Sequence, residues 1–478
     1  MLDKIRNLLK HTVIYGLGNF ISRGITFFLL PLLTNSMSPA EYGKLAIIQT
    51  FIGLAEVFFT AGMRPSILRY SNKEAVTREA AFSGGLIWIL IASIIGFAAL
   101  KIFQSFFALQ SGVESNLIYN YMIAILILDA LSIPAYAFLQ IAGKPLYYTL
   151  LKISNVILYF AGCVYLVVLK KEASVDSVMT ANIVASGSLL LFCLPLFFQN
   201  FRFRLPPNVL MPMLRFGAPY IPNVLFVVVM DLMNRILIGR MLGLEAVGYF
   251  TAAMKLAMMM NLIVLAFQTA WQPFFLSHLK DPKGSELFAR VFTYYLFATL
   301  SVFLMIGIFY PQIASLGFHG FMLIGRQYHS GLSIIPIVLM AYLFCGIYSN
   351  FIVGIYAKEK TLIIPLITCV GAIVNVSANF LLIPRFGLTG AAVATLLSYL
   401  TITIILYPIS QRLFQIHYEW ARIFKLFIAT GLVFGATHLT DSVSIKMAMC
   451  FFFPILLFGL KTFSADELRQ LKQRFPWR

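Results

Sequence analysis

The sequence predicts an all-α integral membrane protein of about fourteen transmembrane helices, arranged as two six-helix bundles and two further C-terminal helices. Three observations carry this reading: the composition, the recurrence of long apolar windows, and the alternation of basic residues between those windows. Hydrophobic residues fill 60% of the 478 positions and charged residues only 11%, where a soluble domain carries about 25% charge. No stretch is polar enough to form a domain outside the bilayer, so the chain reads as one membrane domain with no extramembrane catalytic module.

The elements follow in order. Lys4, Arg6 and Lys10 before an apolar run imitate a secretory signal. The run Thr12–Leu33 is too long for a signal core and contains Arg23, so it is expected to stay as the first span. Met1–His11 reads as a short amphipathic helix on the membrane surface. The first bundle, residues 1–198, continues with Lys44–Met63, Phe82–Leu100, Leu117–Leu139, Leu151–Leu169 and Val178–Phe198. A linker over 199–216 leads to a second bundle, 217–409, with Gly217–Gly239, Val247–Ala270, Val291–Tyr310, Leu332–Tyr356, Leu362–Ile383 and Thr389–Ile409. The remainder, 410–478, holds the short spans Phe424–Leu439 and Met447–Leu460 and a basic tail.

Charge placement orients these spans. If the N-terminus is cytoplasmic, the segments on that side hold 25 of the 36 lysines and arginines, the opposite segments hold 8, and 3 fall inside spans. Such an excess is the positive-inside pattern, so both termini are expected in the cytoplasm, in a cytoplasmic (inner) cell membrane. The net charge of +18 then faces anionic inner-leaflet lipid, and nucleic acid need not be invoked as a partner. The five cysteines, Cys163, Cys193, Cys345, Cys369 and Cys450, sit in apolar runs without paired spacing. They read as core residues, with no disulfide, metal site or cofactor implied.

A repeat is visible by eye. Ser36-Met-Ser-Pro-Ala-Glu-Tyr-Gly43 joins the first two spans, and Met241-Leu-Gly-Leu-Glu-Ala-Val-Gly248 joins the seventh and eighth. Each places a glycine where a new helix opens. Since six spans separate the copies, both enter the membrane from the same side, which makes this a parallel repeat.

Asn379-Phe-Leu-Leu-Ile-Pro-Arg-Phe-Gly-Leu-Thr-Gly-Ala-Ala-Val-Ala-Thr-Leu-Leu-Ser398 joins the eleventh and twelfth spans. It resembles the signature of polysaccharide flippases of the multidrug/oligosaccharidyl-lipid/polysaccharide exporter superfamily, and the Ser38–Gly43 turn and the Arg69-Tyr70 pair are similar to the same group. The resemblance implies a transporter that moves a polyprenyl-diphosphate-linked oligosaccharide between leaflets for cell-surface polysaccharide synthesis. It admits glycan-assembly proteins as neighbours, and the carboxylates inside the spans offer a coupling site for a proton or sodium ion.

Charges buried within spans are the candidate site, because an ionisable group in the bilayer costs a few kcal/mol and faces a polar cavity or a partner. They are Arg23, Glu56, Asp129, Asp231, Arg235 and Lys255, with Arg64 at the end of the second span. Arg23 has no acid three or four residues away and lies among Gly16, Gly18 and Gly24. Its guanidinium suits a diphosphate. In the superfamily's lipid flippases, basic residues on the first, second and eighth helices line a diphosphate cavity; Arg23 and Lys255 match by position, while the second span offers Glu56 and Arg64. Asp231 and Arg235 are four apart, the spacing of a local ion pair, and Arg235 could equally reach the interface. Glu56, Asp129 and Asp231 read either as ion-coupling carboxylates or as packing contacts.

Four other functions compete with this reading. A multidrug exporter would share the fold, but a cavity for cations should be acidic, and this one is mixed or basic. A glycan polymerase or ligase needs a reactive external loop; the longest such segment, Pro311–Gly331, holds Arg326, His319 and His329 and no acid, which leaves carboxylate acid/base catalysis without support. No glycine-rich phosphate loop with a lysine is present, which removes an ATP-driven pump. A membrane scaffold gives no reason for charges inside the spans.

Overall fold

A computed structural model of the chain describes residues 21–460, apart from 23, 72–75, 112–114, 203–208, 219 and 319, together with residue 462. Met1–His11 and Arg23 therefore lie outside the described residues. The first unit of the chain contains helices α1 (Gly24–Ser36), α2 (Pro39–Thr60), α3 (Met63–Tyr70), α4 (Arg78–Ile102), α5 (Gln104–Ser111) and α6 (Asn116–Ile141). It continues through α7 (Pro145–Cys163), which runs into a π-helical turn, α8 (Val175–Asn200), α9 (Leu210–Gly217) and α10 (Tyr220–Leu242). Then come α11 (Leu244–His278), α12 (Gly284–Ser315), α13 (Ile335–Phe351), α14 (Val353–Ala357), α15 (Ile363–Leu413), α16 (Trp420–Ala436) and α17 (Val443–Gly459). Among the described residues the one sheet is a hairpin of two-residue strands, Gly317–Phe318 and Phe321–Met322.

Ten helices of the described chain are long and apolar enough to cross a membrane. One of them, α15, turns at Gly387 (φ 57°, ψ −134°), so it holds two spans, with the joint falling between Ile383 and Thr389 as expected. Together with α1, α17 and the 23-residue α10, the fourteen expected spans are accommodated. Several helices outrun their hydropathy windows: α11 reaches His278, α12 reaches Ser315, and the second span resumes as α3 up to Tyr70. A helix does not stop where its apolar run stops, because its own backbone bonds stay satisfied beyond the hydrocarbon.

Local chemistry sets the helix ends. Ser38 caps α2, its hydroxyl accepting from Glu41 N, with Pro39 in the first turn; this is the Ser-x-x-Glu start signal with proline where no amide is needed. Thr77, Ser115 and Ser174 cap α4, α6 and α8 in the same way. Glu41 does more than open its own helix, since its carboxylate also accepts from Val175 N at the start of α8, at 3.3 Å. The span α2 breaks where Ala61 (φ 43°) and Gly62 (φ 67°) both enter the left-handed region.

The chain packs as two units, residues 1–252 with 317–330, and residues 253–316 with 331–478. This grouping cuts across the repeat boundaries, 1–198 and 217–409, because α10 packs along α2 and α9 along α3. In the first unit the repeat becomes a reciprocal contact. A Cβ on Gly43 would lie 2.0 Å from Leu244 O, and one on Gly248 would lie 2.1 Å from Pro39 O. Residues 39 and 244 are related by the same offset as 43 and 248, so the two copies meet through equivalent backbone, which only glycine permits.

Residues 317–330 dock on the corner between α1 and α2. Asn35 Nδ2 donates to Met322 O at 2.6 Å and its Oδ1 accepts from Met322 N at 3.1 Å. Gly325 N donates to Thr34 Oγ1, and Gln327 Nε2 donates to the carbonyls of Thr34 and Met37. Tyr328, fully buried, donates to Met37 O and stacks edge-on between Tyr42 and Tyr249.

In the second unit α13 packs on α15, tied by Thr403 Oγ1 donating to Phe344 O (3.1 Å), and α14 packs on the same helix, with the Ser410 hydroxyl accepting from Gly354 N (3.1 Å). The helix α12 packs on α13 and α16.

Gly43→Ala and Gly248→Ala should each destabilise the protein by about 1–3 kcal/mol, because the added methyl meets backbone that cannot rotate aside. Gly53, with nothing within 4 Å of its would-be Cβ, is the control on the same helix, and Gly53→Ala should be neutral or stabilising. Thermal melts in one detergent check this; equal midpoints for Gly43→Ala and Gly53→Ala would refute the close contact.

Candidate functional site

Glu56 on α2 and Asp129 on α6 are brought together from 73 positions apart: the two helices pack, and the carboxylates are near enough for their charges to interact. Asp129 is half-buried and accepts a hydrogen bond from Ser186 of α8, a serine only 1% exposed. Glu56 is exposed at the surface of the chain. No lysine or arginine is paired with either acid in the ion pairs of the described residues. Two like charges side by side in a low-dielectric region are costly unless a proton or a cation joins them.

Asp231 and Arg235 form the expected local pair on α10. Arg235 Nη1 lies 3.6 Å from Asp231 Oδ2 and donates to Asp231 O at 3.1 Å. The pair is lopsided, with the arginine side chain 12% exposed and the aspartate 55%. Arg235 therefore does not reach out to an interface; its Nε is buried with no hydrogen-bond partner among the described residues. Its charge acts instead on Tyr42 of α2, which neighbours Tyr159 of α7, and Tyr159 hydrogen-bonds Gln49 and Cys163. This cluster of one guanidinium, two phenols and an amide lies within the first unit.

Arg64 sits on α3, past the break at Ala61 and Gly62. Its Nη2 donates to Gln140 Oε1 and to Tyr148 OH, both at 3.3 Å, which ties it to the end of α6 and the start of α7. Beside it, Arg69 stacks over the Phe216 ring at 4.2 Å, and Ser66 and Tyr70 donate to Met213 O and Pro212 O of α9. Lys255 is half-buried on α11 in the second unit. Arg23, the sequence's strongest diphosphate candidate, lies outside the described residues.

Sequence reasoning missed Tyr42, Gln49, Tyr159 and Ser186, because polar residues spaced along apolar helices resemble ordinary packing. It also passed over Asn375. On α15, Asn375 and Asn379 are both fully buried, with Asn379 Nδ2 donating to Asn375 O (2.9 Å) and Oδ1 (3.1 Å). Asn375 Nδ2 is buried with no hydrogen-bond partner among the described residues. Buried amides one turn apart were a usable signal, since an apolar span gains nothing from them.

Comparison with known proteins places this arrangement. A family described as "Polysaccharide biosynthesis protein" matches residues 8–278, more than half of the chain. The chain belongs to that family. A protein of the Lsg locus of Haemophilus influenzae is 24% identical over 365 residues, covering 70% of this chain and 84% of the relative. Among solved structures, the lipid II flippase MurJ in an inward closed conformation matches with a TM-score of 0.74 at 14% identity, over 94% of this chain and 98% of MurJ. An inward-facing multidrug resistance MATE transporter matches with a TM-score of 0.67 at 13% identity, over 84% and 94%. A transporter of the same superfamily from Pyrococcus furiosus matches at 0.61 and 14%, over 84% and 95%. At these identities the likeness establishes the fold: over nearly its whole length the chain has the two-bundle architecture of that transporter superfamily, while the family match itself covers residues 8–278.

Replacing Arg64 by alanine should change stability by no more than about 1 kcal/mol, since both its hydrogen bonds are long and its side chain is exposed. A thermal melt checks it. A loss several times larger would make Arg64 a structural tie and remove it from the candidate ligands.

Proposed function

We propose that the protein flips a polyprenyl-diphosphate-linked oligosaccharide across the cytoplasmic membrane by alternating access, for cell-surface polysaccharide synthesis. The observation that supports it most is the family match over residues 8–278, which joins a transporter fold to polysaccharide assembly. The intramembrane charges agree in chemistry. A substrate with an anionic diphosphate calls for basic groups, and Arg23, Arg64, Arg235 and Lys255 supply them, arginine through its bidentate fork and lysine as a point charge. A multidrug exporter of cations would have little use for four basic groups.

The reciprocal contact at Gly43 and Gly248 is, in this proposal, one closed end of the path, on the external side if both termini are cytoplasmic. Backbone packed on glycine separates without breaking a side-chain ion pair, which suits an end that opens and shuts. The repeat bundles, 1–198 and 217–409, joined by the linker 199–216, are the bodies assigned to the motion, with 410–478 an appendage. Glu56 and Asp129 take the coupling proton or sodium ion, whose charge relieves their mutual repulsion, and Asp231 modulates Arg235. No step requires bond making or breaking by the protein, so the proposed role is transport and not enzymatic catalysis.

In a host that depends on this protein for its surface polysaccharide, depletion should leave the lipid-linked oligosaccharide in the inner leaflet, resistant to a glycosidase added outside. The surface polymer should fall in parallel. Normal external exposure of the intermediate after depletion would refute the proposal.

Glu56→Gln and Asp129→Asn should each uncouple transport from the ion gradient at unchanged membrane abundance. Normal transport by both across a pH series would make the carboxylates structural.

Topology has its own check. A cysteine introduced at the exposed Glu359 should resist a membrane-impermeant thiol reagent in intact cells, and one at the exposed Lys171 should react; the reverse would invert the orientation.

A further inference from the structure

Two cavities of opposite character share a wall in the first unit. One, about 340 Å³, lies between α2, α4, α5 and α6 and is walled by the rings of Phe51, Phe58, Phe103 and Phe106 above Gly96 and Ala99. The other, about 290 Å³, is polar and is lined by Lys101, Gln104, Ser105, Ser115 and Asn116. Phe107 and Tyr119 line both. Among the described residues no acidic side chain lines either cavity, and the one charge there is Lys101. Its Nζ donates to Asn120 Oδ1 at 2.7 Å and sits 5.7 Å from the Tyr119 ring centre, so an ammonium with three protons retains capacity for an anion.

An apolar chamber that abuts a cationic, hydroxyl- and amide-lined one has the form of an amphiphile site. The helix α5 is what makes it. Placed between α4 and α6, it contacts both α2 and α10, and it contributes Phe106 and Phe107 to the apolar side and Gln104 and Ser105 to the polar side. In the alternation of spans, Lys101 lies at the same end of the membrane region as the Ser36–Ser38 turn, the end expected to be external.

We infer that these joined cavities hold a prenyl diphosphate on the external side, with the diphosphate at Lys101 and the prenyl chain among Phe51, Phe58, Phe103 and Phe106. The inference rests on the flippase reading and adds to it a place where the lipid carrier lodges after crossing. The polarity order is right for the outer leaflet, with the anion at the surface and the chain pointing into the bilayer. Lys101 supplies the charge complementarity, and the apolar, aromatic chamber accepts isoprene units, which are planar at each double bond.

The test uses the purified full-length protein in nanodiscs and a prenyl diphosphate carrying a diazirine at the far end of its chain. After irradiation, labelled peptides are mapped by mass spectrometry. Label concentrated on Phe103, Phe106 or Phe58, competed by unlabelled prenyl diphosphate and not by phosphatidylglycerol in large excess, is the expected result. Lys101→Gln should lower the yield about five-fold for the diphosphate and leave it unchanged for the uncharged prenyl alcohol probe. Ala99→Phe, which fills the apolar chamber, should lower both. Label elsewhere on the protein overturns the inference and leaves the flippase reading standing. Equal competition by phosphatidylglycerol overturns it as well, reducing the site to one for bilayer lipid. Absence of specific label anywhere overturns both the inference and the flippase reading.

Discussion

Hydrocarbon offers no hydrogen bonds, and that constraint orders everything else in this molecule. It forces the backbone into helices, and it allows a departure from the helix only where other groups take up what is released. Where Ala61 and Gly62 interrupt the second span, Ala61 N still donates to Val57 O and the Ser66 hydroxyl donates to Gly62 O, and the turn at Gly387 falls in the joint between two spans. The same constraint selects the side chains that lie inside. Thr34 and Asn35 are tolerated at the end of α1 because they bind the backbone of Gly325 and Met322, and Asp129 is tolerated on α6 with Ser186 as donor.

Close helix contact is the second consequence. Without a hydrophobic force between helices in lipid, association depends on close approach and shape. Gly43 and Gly248 provide that approach twice over, each facing the carbonyl that its repeat-mate's helix presents. A duplicated sequence has thereby become a contact with near two-fold character. A contact of that kind is held by close packing with no ion pair to separate, which links the meeting of α2 and α11 to the transport proposed for the chain.

Much of this was legible in the sequence. Fourteen spans, the joint near Gly387 and the repeat are local features: hydropathy, one glycine and two similar turns announce them. The charges in the spans were legible one at a time, and the Asp231 and Arg235 pair was legible as a pair because four residues make one helical turn. What could not be read was proximity across sequence. Glu56 meets Asp129, Tyr42 meets Tyr159, and Asn35 meets Met322 only because whole helices pack. The short helix α5 hid for another reason: a window of about 20 residues averages eight helical residues into the loop around them. The over-long helices α11 and α12 show the converse, since polarity marks the edge of the membrane and not the end of the helix.

Family, fold and charge converge on the proposal that the protein carries an anionic lipid-linked glycan across a bilayer. The most direct measurement is the transfer rate of a fluorescent polyprenyl-diphosphate oligosaccharide between leaflets of liposomes containing only the purified protein, read by quenching with a membrane-impermeant reductant. A flippase for that lipid gives protein-dependent transfer that is slowed by unlabelled lipid-linked oligosaccharide and unaffected by a lipophilic organic cation. Transfer no faster than in protein-free liposomes, or transfer inhibited by the cation and not by the glycolipid, would contradict it.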